Sequence, residues 1–599
     1  MAKIDLHVHS KYSEHPSDWF LQRLGAKESY TEPEYIYKLA KKRGMDFITI
    51  TDHNRIEGAL RLKEKHPEET FIGVESTAYF PEDRCKIHIL FYGITEEQFD
   101  EIQEIRKNIF HLREYVRQND IVYSVAHATF SVNNRLTYKH IEQLILLFDV
   151  FEGINGGRTF LSNHQCMEIM KNLNQGHIER LQDKYSIESL SETPWIKSFT
   201  AGSDDHSGLF VGQTYTLTEA HNVEQVLQNI KHKKTSPLGR HNDYKSLAFT
   251  VYKIAYDFSR SKQNNFANSI ASQITENIFE SKPFDFKQKL HLRRIKSMKK
   301  KKENRIAHLL VELIEEAKKI NPLDIDERLG IVYEKTSEIA DEYFRKVLES
   351  MEKDLTQGDL VKFIMNFSAS IPGVFLSLPF FSALKYMFHG RNIVPDLKKS
   401  LGFPRNNGDQ KILWFTDTIN DSNDISDSIR ELSWILFRDG NKVRFVTSLE
   451  NKAVKKELPP NFIYLPHIFH TKIPYIEDFL LYFPSLLKSL TIIETEEPTE
   501  IYISTPGPIG LLGILFSRLV NVRCTGVFHR DLILRVKEDS EDPSLDRLVK
   551  SYSRWFYSMM DVIKVSSPEY IDLLEERGLD RNKMDLLHSS MDSNTFSFQ

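Results

Sequence analysis

The sequence predicts an α/β protein in three parts: an α/β region built on a parallel sheet or barrel, a helical middle, and a second α/β region. Three observations predict it. Short β-rich runs alternate with helical stretches up to about residue 220. Strand-like runs vanish between 240 and about 390. Alternation returns after Lys411. The expected boundaries are 1–225, 226–403 and 411–599. With 599 residues the chain is too long for one core.

In the first part the expected strands are Ile4–His9, Phe47–Thr51, Phe71–Glu75, Ile87–Tyr92, Ile121–His127, Val150–Ile154 and Phe199–Gly202. The clearest helix between them is TEPEYIYKLAKKRG, with Thr31 and Glu34 spaced as a capping box and Gly44 as its stop. In the middle part, NRIAHLLVELIEEAKKI and TSEIADEYFRKVLESMEKDL carry apolar residues at helical spacing. Phe363–Leu384 holds no charge over 22 positions but contains Pro372, Pro379 and four serines. Prolines and polar groups speak for a buried helical hairpin or a membrane-surface contact over a span. The basic run Arg293–Arg305 reads as a solvated face or linker, with acidic lipid headgroups as the alternative. Pro404–Gln410 reads as a linker.

Composition sets the class. Hydrophobic content of 40% and charged content of 27% fit a soluble protein, and a net charge of -5 gives no reason to expect specific nucleic-acid binding. Cys85, Cys166 and Cys524 form no zinc or disulfide pattern. The N-terminal residues lack a signal-peptide pattern, so the cytoplasm is the expected location, with a peripheral membrane position open.

The chemistry-bearing residues cluster at strand ends. In DLHVHSKYSEH, His7 and His9 are two apart and share one strand face, and His15 follows. Three histidines there ask for a metal, a phosphate or both. His53 ends the second strand in TDHN, Glu75 the third, and His88 sits on the fourth. His127 ends VYSVAH, and GSDDHSG places Asp204 and His206 on the last turn. Carboxyl ends of parallel barrel strands converge on one face. Any one of these residues could be structural, but so many at successive strand ends make a divalent-metal site. Imidazoles and carboxylates without thiolates suit Zn, Mn or Fe, two or three ions in all.

These motifs resemble the PHP (polymerase and histidinol phosphatase) family of metal-dependent phosphoesterases over residues 1 to about 220. The resemblance implies a distorted (β/α)7 TIM-like barrel and a trinuclear cluster. Its first metal would take His7, His9, Glu75 and Asp204, its second Glu75, His88 and His127, and its third His15, His53 and His206. Many members carry Asp one position earlier than His15, which makes Glu14 the alternative ligand. The expected reaction is hydrolysis of a phosphate ester by a hydroxide generated at the multinuclear centre. Asp204, His206 and Arg158 are the expected catalytic residues, Arg158 as a phosphate clamp or else a solvated loop residue. Asp5, Asp52 and Asp205 are candidates to orient ligand histidines.

The third part reads as KILWFTDT, IYISTPGPIGLLG, VFHRD and DLLHSSMD in order. This series resembles the N-terminal Rossmann-like half of a GT-B glycosyltransferase of the family-4 type. The resemblance places His529, Asp531 and Thr505 at the cleft. Asp424 stands where the family has Gly after Asn423, and Ser590-Met591-Asp592 replaces a Gly-Val-Asp turn. The GT-B fold needs a second such domain for the donor, so a nucleotide-sugar is expected only if a further domain exists.

The expected function is therefore a phosphoesterase acting on a phosphorylated small molecule or glycolipid, coupled to a glycosyltransferase-like module. The alternatives are a glycosyltransferase acceptor half, or a glycan-binding scaffold with a structural metal barrel. A polymerase-linked exonuclease lacks its polymerase motifs here.

Overall fold

The computed structural model describes residues 1–14, 26–261, 305–317, 325–356, 371–404, 411–419, 424–449, 457–472, 480–528 and 543–587. The chain divides into two compact units. One comprises Met1–Lys289, Ile314–Val332 and Tyr386–Arg405, and the other Leu290–Leu313, Tyr333–Lys385 and Asn406–Gln599. The helical middle thus contributes to both.

The first unit is built on nine strands: β1 (Ala2–Asp5), β2 (Phe47–Ile50), β3 (Thr70–Tyr79), β4 (Lys86–Tyr92), β5 (Val122–Val125), β6 (Val150–Asn155), β7 (Ser198–Gly202), β8 (Thr214–Thr218) and β9 (Ser236–Gly239). Their order is β7-β6-β5-β4-β3-β2-β1-β8-β9. β7 also lies alongside β1 and β8, and a bridge joins Val8 to Asp205, so the sheet is nearly closed into a barrel. β1 is buried throughout its apolar positions, and Ile4, Leu6, Phe47, Phe71 and Leu90 cluster with Val226 and Ile230 of the helix Val223–Lys231. That cluster fills the end of the barrel where β1, β2 and β3 begin.

The seven expected strands all form, but the expectation of parallel strands throughout is corrected. β4 runs antiparallel to both β3 and β5, and β8 antiparallel to β1 and β9. Only Phe80–Cys85 separates β3 from β4, and a parallel crossover needs about a dozen residues or more. The helix Pro33–Lys42 has Glu32 rather than Thr31 at its N-cap, with no side-chain cap. Pro33, with fixed φ and no N–H to leave unbonded, starts the helix instead. Gly44 follows its end at φ 79°, a conformation that suits a residue without Cβ.

The second unit holds β10 (Ile412–Phe415), β11 (Val443–Thr447), β12 (Phe462–Tyr464), β15 (Glu500–Ile503), β16 (Arg523–Phe528), β17 (Val562–Val565) and β18 (Met584–Leu586). They form one sheet in the order β12-β11-β10-β15-β16-β17-β18, every pair parallel. β13 (His467–Lys472) and β14 (Leu480–Pro484) make a separate antiparallel ribbon. The parallel strands are short apolar runs, with Trp414, Phe415 and Phe445 fully buried. Among the described residues no helix is long and apolar enough to cross a membrane. The end of the uncharged stretch forms the helix Ile371–Met387, with Pro379 inside it; residues 363–370 lie outside the described residues. So do residues 293–304 and 405–410, which cover nearly all of the basic run and of the expected linker.

Candidate metal centre

The metal-ligand candidates meet at one end of the barrel. His7 and His9 project from the exit of β1 with their Nε2 atoms 3.1 Å apart. Oε2 of Glu75, on β3, lies 3.2 Å from each of them, and Oδ1 of Asp204 lies 3.4 and 3.3 Å away. The other ring nitrogens are occupied. Nδ1 of His7 faces Oε1 of Glu152 at 2.9 Å, and Nδ1 of His9 faces the Ser13 hydroxyl at 3.0 Å. In the neutral rings, with Nδ1–H of His7 donating to Glu152 and Ser13 served by His9 in the same way, both Nε2 atoms present lone pairs to each other and to two carboxylates. Among the described residues, the buried Oε2 of Glu75 has no hydrogen-bond partner. Lone pairs converging at 3.1–3.4 Å repel unless positive charge stands among them. Ligands about 2.0–2.1 Å from a tetrahedral cation stand about 3.3 Å from one another, so this donor set fits a divalent metal.

Glu75 serves a second group with its other oxygen. Oε1 lies 2.8 Å from Nδ1 of His88 and 3.1 Å from Nε2 of His127. His88 is only the third residue of β4, yet it reaches the site because β4 runs antiparallel and Thr77 of β3 lies opposite it. His53 places Nδ1 3.0 Å from Oε2 of the same Glu75. Three sets of donors therefore lie close enough to share an ion: His7, His9 and Asp204; His53, Glu75 and His88; and His9, His53 and His206. His53 thus joins Glu75 and His88 as well as His206, a sharing that strand spacing did not disclose.

Electrostatics follow from burial. Desolvation would lower His7 and His53, but the carboxylates outweigh it: Asp204, Glu152 and Glu75 raise His7 well above its ordinary value, and Glu28 and Glu75 do the same for His53. Desolvation wins at His88, which falls to about 4 despite Glu75. Burial would raise Glu75 and Asp204, yet their histidine neighbours hold both well below the carboxylate range. Charge is thus stored where a cation would be held. Asp204 and His127 also adopt left-handed backbone, at φ 48° and 29°.

Two residues of the site were not anticipated. Glu28 is buried and faces Nε2 of His53 at 3.1 Å. Glu152 holds His7 and also accepts from the backbone N–H of His127 and the side chain of Asn155. Among the described residues, the hydrogen bonds of the three aspartates expected to orient histidines go to backbone N–H groups and serine hydroxyls. Asp5 accepts from the backbone of His7, Ser203 and Gly212; Asp52 from Ser10 and Ser13; Asp205 from Ser207, Gly208 and Phe210. They fold the loops on which the ligands stand. Glu14 pairs instead with Arg55 and Lys27, and His15 lies outside the described residues.

Arg158 lines the same cavity as His53, His88 and His206, together with Phe130, Phe210, Asn242 and Tyr386. Its guanidinium carbon stands 3.4 Å from the centre of the Phe130 ring and 5.3 Å from that of Tyr386. In the second unit, Thr505 follows β15 and donates its hydroxyl to Asp417 at 2.7 Å. His529, Asp531, Asn423 and the turn Ser590–Asp592 lie outside the described residues.

No family model matches the chain. An uncharacterized protein of Methanocaldococcus jannaschii is 42% identical over 76 residues, 12% of this chain and 43% of that protein. The match thus spans less than half the length of that relative. Among solved structures, a candidate metal-dependent phosphoesterase of Bifidobacterium adolescentis aligns over 39% of this chain and 96% of its own, at 14% identity and a TM-score of 0.22, too low to inform on the fold.

Proposed function

We propose that the first unit is a metal-dependent phosphoesterase of the PHP type. One observation carries it: a buried Glu75 carboxylate faces the ring nitrogens of His7, His9, His53, His88 and His127 at 2.8–3.2 Å. His7, His9, Glu75 and Asp204 would hold one cation, and Glu75, His88 and His127 another. Bound divalent cations supply Lewis-acid polarisation of the phosphoryl group and a water acidic enough to react near neutral pH. The chain's own part is positional. Glu152 and Ser13 fix the tautomers of His7 and His9, leaving Nε2 free to ligate. Arg158, backed by Phe130 and Tyr386, offers planar N–H donors to non-bridging phosphate oxygens. Asp204 and His206 line the same cavity and would face a phosphate bound there. The mixed apolar and polar wall suits a phosphorylated small molecule or glycolipid headgroup.

For the second unit we propose the glycosyltransferase-like half-domain. Its strand order is that of a doubly wound sheet, with the switch point between β10 and β15, where such sheets bind ligands. Three free, buried cysteines accord with a reducing cytoplasm.

The full chain, loaded with Mn or Zn, is expected to hydrolyse p-nitrophenyl phosphate or its diester. Glu75→Ala is expected to lose both turnover and bound metal. A wild type that binds metal yet hydrolyses neither ester, beside a Glu75→Ala variant that keeps its metal, would leave the barrel a structural scaffold.

A further inference from the structure

We propose that Glu28 is a metal ligand, the carboxylate that completes a third cation site with His53 and His206. This rests on the metal-centre reading above and adds a residue to it. Oε2 of Glu28 lies 3.1 Å from Nε2 of His53, and Oε1 lies 3.5 Å from Nε2 of His206. The tautomers make the case. Nδ1 of His206 lies 2.9 Å from the backbone carbonyl of Asp204, which can only accept, so Nδ1 carries the proton. In the neutral ring its Nε2 therefore turns a lone pair toward an anionic oxygen, and among the described residues that buried nitrogen has no hydrogen-bond partner. His53 has a carboxylate on each side, Glu75 at Nδ1 and Glu28 at Nε2. A neutral imidazole has one N–H and cannot donate to both, so without a metal only the doubly protonated ring satisfies the two carboxylates. A divalent cation between Glu28, His53 and His206 resolves both conflicts, and His9, His53 and His206 already lie close enough to share one ion.

The backbone holds Glu28 for this role. Its N–H donates to the carbonyl of Ser13, and the neighbouring Ser29 hydroxyl donates to the carbonyl of His9. The segment is thus tied to the stretch that carries His9, and Glu28 is 6% exposed, an unusual position for an acid unless a charged partner faces it. Glu14, the alternative offered by spacing, is committed elsewhere: one oxygen to Arg55 at 2.8 Å, the other to Lys27 at 3.3 Å. A donor set of two imidazoles and a carboxylate suits Mn, Fe or Zn.

The test is metal stoichiometry on the full chain, by equilibrium dialysis against Mn and elemental analysis, with circular dichroism as the control for folding. Wild type should hold three ions and Glu28→Gln two. Glu14→Gln should still hold three. Glu28→Asp should keep the count but bind its weakest ion at least about tenfold more weakly. A wild type that holds two ions while hydrolysing phosphate esters would sink this assignment and leave the phosphoesterase standing. A Glu28→Gln protein with three ions of unchanged affinity would overturn it too. Should Glu28→Gln not fold, unchanged ion affinities in Glu28→Asp would do the same.

Discussion

Oε1 of Glu152 lies 2.9 Å from Nδ1 of His7, and neither side chain is exposed to solvent. From a carboxylate on β6, beside the β7 that closes against β1, the pair fixes the tautomer of a ligand that follows β1. Glu152→Gln keeps an acceptor of nearly the same shape but removes the charge. Metal affinity should fall about 10- to 100-fold, as it does when such partners are lost elsewhere. Calorimetric titration of the metal-free chain with Mn checks it, and unchanged affinity would make Glu152 a bystander.

Arg158 should act on substrate affinity. Arg158→Ala should raise KM for a phosphate ester about 10- to 100-fold, the worth of a charged hydrogen bond, with bound metal unchanged. Arg158→Lys should recover little, because a lysine lacks the planar fork and stacks poorly on Phe130. Steady-state kinetics of the three proteins decide, and an unchanged KM in Arg158→Ala would return Arg158 to the solvated loop.

In the second unit, Asp417 follows β10 and accepts from the N–H groups of Ile509 and Gly510 and from Thr505. A carboxylate of the chain itself thus occupies the N-terminus of the helix Pro508–Val520, where an anion would otherwise bind. Asp417→Ala should cost about 2–4 kcal/mol, because buried N–H donors lose their acceptor. Urea denaturation measures it. A loss below about 0.5 kcal/mol would mean that water replaces the carboxylate.

Asp341 gives a pH-dependent term. Burial pushes its carboxyl up to about 6, with Glu338 and Glu334 adding to the rise against Ser485 and Lys488. The folded chain therefore holds this proton more tightly than the unfolded chain. Its contribution to stability is present below about pH 4 and is lost as pH rises through about 6. The stability difference between Asp341→Asn and wild type should shift in favour of the variant across that window and stay flat above it. Thermal melts between pH 4 and 8 test the sign.

Much of the site could be read from residue types at strand ends. His7 and His9 follow from a two-residue period, and His53, Glu75 and His127 end short apolar runs. Glu28 is invisible in the sequence because it stands in a segment without strand or helix period, held by tertiary hydrogen bonds and the packing of Ala26 and Tyr30. Glu152 lies inside VFEGIN, where an apolar run hides a single inward carboxylate. The antiparallel β4 was legible in principle from the six residues Phe80–Cys85 before it. β8 and β9 escape the sequence reading because TYTLT holds no run of adjacent apolar residues and SPLG opens on Ser-Pro. In the second unit the succession of strands along the chain is legible from its apolar runs, while their order in the sheet, and with it the seat of Asp417 where β10 neighbours β15, is not.

The closure of the barrel has a consequence for biosynthesis. β1 pairs with β8, Ala2 opposite Thr218, and the N–H of Asp204 donates to the carbonyl of His7. Gly202 packs so tightly on His7 that a Cβ there would stand 2.3 Å from the histidine's own. β1 must therefore wait for strands made about 200 residues later. At about 5–20 residues per second, that wait is on the order of ten seconds or more. During it His7 and His9 have no enclosure, so metal capture belongs to the end of folding, and the nascent strand depends on the cell to keep it from other partners.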